Sequence, residues 1–235
     1  MVKVIITGTT GFVGEGVLLE CLKNDKVEKV LSVSRRPTGR SHEKLEELVI
    51  PSFMDLTEND DRLKGYDACF YCAGKSSVGM KEPEYRKITL ETPAHFAKAL
   101  GENKQMTVVY VSGSGTSKNS KLMWSRVKGE AEELFIKMKD TQFKGTYCTR
   151  LGIMKINPEM KNVNTTQKIY SFMSVLTKPF NLSNPIEDVG KCMIYLALNG
   201  YEKQILECKD IDICAKNLMH NWSKILKNYK KNKIK

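Results

Sequence analysis

The chain has 235 residues, 41% hydrophobic and 28% charged, with a formal net charge of +11 at pH 7. That length suits one α/β domain spanning 1–235 with a generous core, and no apolar run approaches the ~18 residues that cross a membrane, so no membrane partner is expected. Seven cysteines without framework spacing and three scattered histidines, His42, His95 and His220, argue against a disulfide scaffold and a metal site.

A first strand beginning at Val2 leaves no room for a secretory leader, and a cytoplasmic compartment is expected. Cys69 and Cys72 share the C-x-x-C spacing, but on a strand those positions point to opposite faces, so they read as reduced core thiols. The basic charge is concentrated at one end. From Lys216 to Lys235 there are seven lysines and no acidic residue, which reads as a solvated tail, with a weak electrostatic contact to nucleic acid or anionic lipid as the alternative. Only Trp222 and Tyr229 fall among those lysines, which makes no base-stacking pattern and argues against a nucleic-acid partner.

In chain order, Val2–Thr7 reads as a buried strand. The turn Gly8-Thr9-Thr10-Gly11-Phe12-Val13-Gly14 follows, then a helix over 12–23 with Phe12, Val13, Val17, Leu18, Cys21 and Leu22 on one face. A glycine turn between such a strand and helix lets a phosphate approach the backbone and meet the free N–H groups of the helix start. Gly8, Thr10, Gly11, Phe12, Val13 and Gly14 are therefore candidates for holding a dinucleotide pyrophosphate. The spacing is not that of a Walker loop, because no Gly-Lys-Ser/Thr follows.

A second strand, 29–34, ends in Ser34-Arg35-Arg36. An acidic residue at that point favours NAD; here two guanidiniums and a hydroxyl offer a clamp for a 2′-phosphate, so NADP is expected over NAD. After a connection carrying Leu45, Leu48 and Val49, a short strand is expected near 49–53, then a strand at 66–72, a helix around 83–101, a strand at 107–112, a helix at 124–139 and a strand at 145–151. The pattern breaks from Asn157 to Pro185, and a helix returns over 186–198. This alternation predicts a doubly wound, mostly parallel α/β sheet of the Rossmann type.

The stretch Thr7-Gly8-Thr9-Thr10-Gly11-Phe12-Val13-Gly14 resembles the N-terminal signature of the short-chain dehydrogenase/reductase superfamily, in its extended or atypical branch. The resemblance runs from Val2 to about Gly152 and returns at Ile186-Glu187-Asp188-Val189-Gly190. It implies an adenine contact from Asp55 and Leu56, a close approach to the cofactor sugar at Cys72-Ala73-Gly74, and a turn beside the carboxamide at Leu151-Gly152. It also implies a small-molecule substrate pocket formed partly by 156–185, and a homodimer through the helix that carries Trp124.

In that superfamily a Ser, a Tyr and a Lys four residues after the Tyr carry catalysis. Ser112 matches the serine and Lys128 the lysine, which also bonds the nicotinamide ribose, but Trp124 occupies the tyrosine position. An indole donates a hydrogen bond and does not ionise near neutral pH, so it cannot be the general acid. The segment Trp124-Ser125-Arg126-Val127-Lys128-Gly129 is similar to that of small bacterial epimerase/dehydratase-like proteins. The resemblance thus implies an NADP-dependent oxidoreductase acting on a small, flat acceptor such as a flavin or quinone. A non-catalytic NADP-binding regulator and a sugar-nucleotide epimerase or dehydratase are the alternatives.

Overall fold

The computed structural model describes residues 1–219, so most of the basic tail at 216–235 lies outside the described residues. Seven strands form one parallel sheet: β1 (Val2–Thr7), β2 (Val27–Ser34), β3 (Leu45–Val49), β4 (Ala68–Tyr71), β5 (Asn103–Gly113), β6 (Phe143–Leu151) and β9 (Ile205–Leu206). Their order across the sheet is β3-β2-β1-β4-β5-β6-β9, with every neighbouring pair parallel. A small second sheet pairs β7 (Ile153–Lys155) with β8 (Ser183–Pro185). The expected doubly wound sheet is what the chain forms.

Period-2 alternation along the central strands divides the core in two. Val4, Ile6 and Val109 face α1 (Phe12–Lys23) and α6 (Ile186–Asn199), where Val17, Leu18, Val189 and Met193 meet them. Ile5, Val108 and Tyr110 face α3 (Thr92–Leu100) and α4 (Met123–Lys137), against Phe96, Ala131 and Phe135. Tyr110 stacks between Tyr71 and Phe135. Cys69 belongs to the second layer and Cys72 packs on the first, as the strand period requires. Helices α1 and α6 lie very close. A methyl group on Gly16 would sit 2.1 Å from Ile186 Cγ1, and one on Gly190 would sit 2.6 Å from Glu20 Cβ.

The boundaries of α1 match the sequence expectation, whereas the third strand does not. It is Leu45–Val49, and Phe53–Asp55 is a single 3₁₀ turn. Ser52 caps that turn: its hydroxyl accepts from the Met54 N–H and its own N–H donates to Asp55 Oδ2, both at 3.1 Å. As an edge strand half in water, β3 lacks the clean alternation that marks the central strands, so its register was not visible. The helix expected around 83–101 is continuous from α2 (Glu82–Arg86) to α3, but a π-helical stretch at Lys87–Glu91 joins the two. The region 157–185, which carries no clear pattern in sequence, contains a further helix, α5 (Thr165–Thr177).

Candidate functional site

Because all seven strands run parallel, their C-terminal ends share one edge of the sheet. Thr7 lies level with Val33 and Tyr71, Tyr71 with Tyr110, and Ser112 with Arg150. The strand order reverses between β1 and β4, and ligands of such sheets bind in the crevice at that point. Thr7 fastens the crevice, its hydroxyl accepting from the N–H groups of Cys72 and Ala73, both at 3.1 Å.

The glycine turn is built for a close backbone approach. Gly8 has φ +69°, and a Cβ there would lie 2.7 Å from the Cα of Ala73. A Cβ on Gly14 would lie 2.2 Å from the Gly8 carbonyl oxygen, so the first turn of α1 rests directly on the loop. The Gly11 N–H donates to Gly8 O at 2.9 Å. Gly11 is the exposed N-cap of α1 and carries no side-chain cap, so the first-turn N–H groups at Phe12, Val13 and Gly14 remain for an anion. Thr10 stands partly exposed beside them, while Thr9 is buried with its hydroxyl 2.7 Å from that of Ser32. The residues present therefore fit a dinucleotide pyrophosphate.

At the end of β2, Arg35 and Arg36 are exposed, and among the described residues neither has a carboxylate partner. Ser34 behaves differently from the expected phosphate donor. It is buried, and its hydroxyl donates to the Arg36 carbonyl at 2.6 Å, so its proton shapes the turn. Asp55 is exposed with one carboxylate oxygen already accepting from Ser52, while Leu56 is buried and its carbonyl is 2.9 Å from His95 Nε2. Cys72 and Ala73 are partly buried and Gly74 is exposed with open space around it.

The two catalytic candidates are not hydrogen-bonded to each other. Ser112 is buried, its hydroxyl 3.2 Å from that of Thr116. Each is engaged elsewhere, Ser112 with Thr116 and Lys128 with the strand backbone, while the neighbouring Gly113 is turned toward the indole. Trp124 lies over the strand end, its ring 4.0 Å from where a Cβ of Gly113 would be and 3.7 Å from that of Gly115. Lys128, on α4, donates to the Val111 carbonyl at 3.3 Å and sits 5.5 Å from the centre of the Tyr110 ring. Desolvation lowers its pKa to about 8, and Glu132 opposes that shift.

Gly152 has a packing role in the structure. A Cβ there would be 2.2 Å from the Leu182 carbonyl oxygen, and Leu151 is buried in the core. Arg150, just before them, makes a bidentate pair with buried Glu132 at 2.9 and 2.7 Å and reaches Glu207 at 2.9 Å.

Sequence reasoning missed Glu15. This carboxylate, in the first turn of α1, is buried; it accepts from Arg40 and from the N–H groups of Lys161 and Asn162, each of the latter at 2.8 Å. Burial pushes its carboxyl up, but these donors outweigh it and hold the pKa below the usual glutamate value. An acid at the start of a helix reads as an ordinary dipole partner. Its second function depends on residues far along the chain.

Glycine turn, strand order and crevice together define a nucleotide-binding Rossmann protein of the short-chain dehydrogenase/reductase superfamily. A sequence model of the NAD dependent epimerase/dehydratase family matches residues 4–120, and the chain belongs to that family, whose cofactor class is a nicotinamide dinucleotide.

Among curated proteins, it is 30% identical over 134 residues to the leucinostatins biosynthesis cluster protein T of Purpureocillium lilacinum, covering 55% of this chain and 49% of that one. The chain thus spans about half the length of that relative. It is 30% identical over 160 residues to protein fmp52-1, mitochondrial, of Aspergillus terreus, covering 66% and 67% of the two chains. Protein FMP52, mitochondrial, of Debaryomyces hansenii is 27% identical over 201 residues, covering 82% and 86%. Among solved structures, the Bordetella bronchiseptica enzyme WbmF in complex with NAD+ shares the fold with a TM-score of 0.64 at 18% identity, covering 92% of this chain and 77% of that one.

The relatives named as mitochondrial overturn the cytoplasmic expectation. Reduced thiols suit any compartment that keeps them reduced, so cysteine usage could not choose between compartments. Among the described residues no helix is long and apolar enough to cross a membrane, and no group of three His, Cys, Asp or Glu is placed to hold a metal.

Proposed function

We propose that this protein is an NADP-dependent oxidoreductase of the atypical short-chain reductase type, acting on a small, flat acceptor. The observation that carries this reading is the pair Arg35 and Arg36 at the end of β2, exposed and without a carboxylate partner among the described residues. A 2′-phosphate set between them would gain charge-assisted, bidentate contacts that NAD cannot make. The pyrophosphate would rest on Gly8, Thr10, Gly11 and the N–H groups of Phe12, Val13 and Gly14. Asp55 and Leu56 would flank the adenine, with Cys72, Ala73 and Gly74 against the sugar.

When bound, the cofactor supplies or takes a hydride. The indole of Trp124, lying over Gly113 and Gly115, offers an aromatic face on which a flat acceptor can stack. It cannot release a proton, and Ser112 is turned toward Thr116. The proton that balances the hydride would therefore come from water. Lys128, held at the Val111 carbonyl, would orient the nicotinamide ribose.

The same features support a second reading, a non-catalytic NADP-binding regulator: Trp124 stands where the superfamily has its tyrosine, and Tyr71 and Tyr110 at the strand ends are buried in the core. Epimerase or dehydratase chemistry on a sugar nucleotide fits least, because it leans hardest on the missing tyrosine.

Calorimetric titration with NADPH and NADH separately is the test. We expect NADPH to bind more tightly, and Arg35→Ala/Arg36→Ala to weaken NADPH by about 10- to 100-fold while leaving NADH unchanged. Equal affinity of the wild type for both would refute the phosphate clamp. Turnover of NADPH with flavin or quinone acceptors would then separate the reductase from the regulator.

A further inference from the structure

Helix α5 is amphipathic in the wrong sense for a helix that ends in water. Its inward positions, Gln167, Ser171, Ser174 and Lys178, are polar. The Ser171 hydroxyl accepts from the Ile156 N–H at 2.9 Å, and the Ser174 carbonyl accepts from the Ser183 hydroxyl at 2.7 Å. The opposite stripe, at spacings of three and four residues, is Ile169, Phe172, Met173 and Leu176, all exposed. Just past the helix end, Phe180 and Leu182 are exposed as well; Phe172 is 77% and Phe180 73% exposed. A contiguous exposed apolar stripe of this kind marks a surface that something covers.

The charge around it narrows what that is. No Asp or Glu occurs between Met160 and Ile186, while Lys161, Lys168 and Lys178 do. Lys178 is paired with Asp212 at 2.7 Å. Lys161 and Lys168 have no ion pair among the described residues, and Lys168 lies on the flank of the apolar stripe. A second copy of this face would bring lysines against lysines. A small acceptor cannot cover a 13-residue helix, which is about 20 Å long.

We propose that the outward stripe of α5, with Phe180 and Leu182, docks onto an anionic lipid surface. Apolar side chains would enter the headgroup boundary while the flanking lysines meet lipid phosphates and carboxylates. The helix would lie on the membrane without spanning it. The lysines from Lys216 onward add charge of the same sign, and stable anchoring generally takes two such signals. This inference is independent of which cofactor or acceptor the crevice takes.

The test is flotation of the full-length protein with phosphatidylcholine vesicles, and with the same vesicles carrying about one-third phosphatidylserine. Flotation with the anionic vesicles alone, reduced at high salt, is expected. Phe172→Ser/Leu176→Ser should cut the bound fraction at least ~10-fold while leaving the thermal melt unchanged, because both side chains are already in water. Absence of flotation, or flotation undiminished in the double variant, would overturn the proposal. So would a dimer in sedimentation velocity that the double variant abolishes. If binding survives that variant and is lost only when the lysines beyond Lys216 are neutralised, the contact belongs to the tail and the proposal also fails.

Discussion

The unit β1–α1–β2 and the segment from β7 to β8 are both short stretches of strand and helix, yet they are built in opposite ways. In the first, apolar residues of α1 turn inward onto the sheet, and the glycine turn has no Cβ at the points of closest backbone approach, Gly8 and Gly14. In the second, α5 turns serines and a glutamine inward and its large apolar residues outward. The first finds its partners within the chain. The second is shaped by a surface outside the chain. A hydrophobic pattern therefore says where apolar groups line up, and only the packing says which side they face.

Substitution in the glycine turn should break that comparison most severely. Gly14→Val would place side-chain atoms where the Gly8 carbonyl now sits. We expect a loss of more than ~100-fold in nicotinamide dinucleotide affinity by calorimetry, with a destabilisation of roughly 2–4 kcal/mol by urea titration.

Next comes Glu15→Gln, which strips the charge from the clamp joining α1, Arg40 and the 161–162 backbone. A partly buried guanidinium would be left without its carboxylate, at a cost of roughly 2–4 kcal/mol. Since the folded pKa of Glu15 is lowered, its contribution is fully present above the usual glutamate value and is lost as pH falls through the folded value. Wild type and Glu15→Gln should therefore converge in stability under acid. A gap that stays constant with pH would show that the clamp does not depend on charge.

Lys128→Met should act in the other direction. The lysine titrates near 8 in the folded chain and at about 10.5 when unfolded. Between those values the unfolded chain binds more protons, so wild-type stability rises with pH across that window. The variant should lack this rise and melt a few degrees higher at pH 7.

The smallest effect sharpens the comparison most. Leu18→Ala in α1 should cost about 2–5 kcal/mol, whereas Ile169→Ala in α5, on the exposed stripe, should cost less than about 0.5 kcal/mol. Equal costs in chemical denaturation would mean that α5 is packed as an ordinary core helix.

Sheet class, α1 and the glycine turn were legible because each rests on local periodicity and turn chemistry within some twenty residues. Ser112 illustrates where that reading stops. Its distance from Lys128 fits the family spacing, but its hydroxyl is taken by Thr116, four residues on, and Gly113 takes the position toward Trp124. Ser34 and Gly152 likewise sit at the expected places, but the first spends its hydroxyl on Arg36 and the second makes room for Leu182. The Glu15 clamp was invisible because its partners lie 25 and 146 residues away. The direction of α5 was invisible because a stripe at helical spacing looks the same whether it faces protein or water.

The close seat of Ile186 on Gly16 also bears on how the chain comes to be folded. One side of α1 has its partner on α6, made about 170 residues later in synthesis. At ordinary elongation rates that leaves roughly 10–30 s in which Val17, Leu18 and Cys21 have emerged without α6. Helix α1 therefore waits for a partner made much later, and a nascent chain halted before Ile186 should be a better client for chaperones than the folded protein.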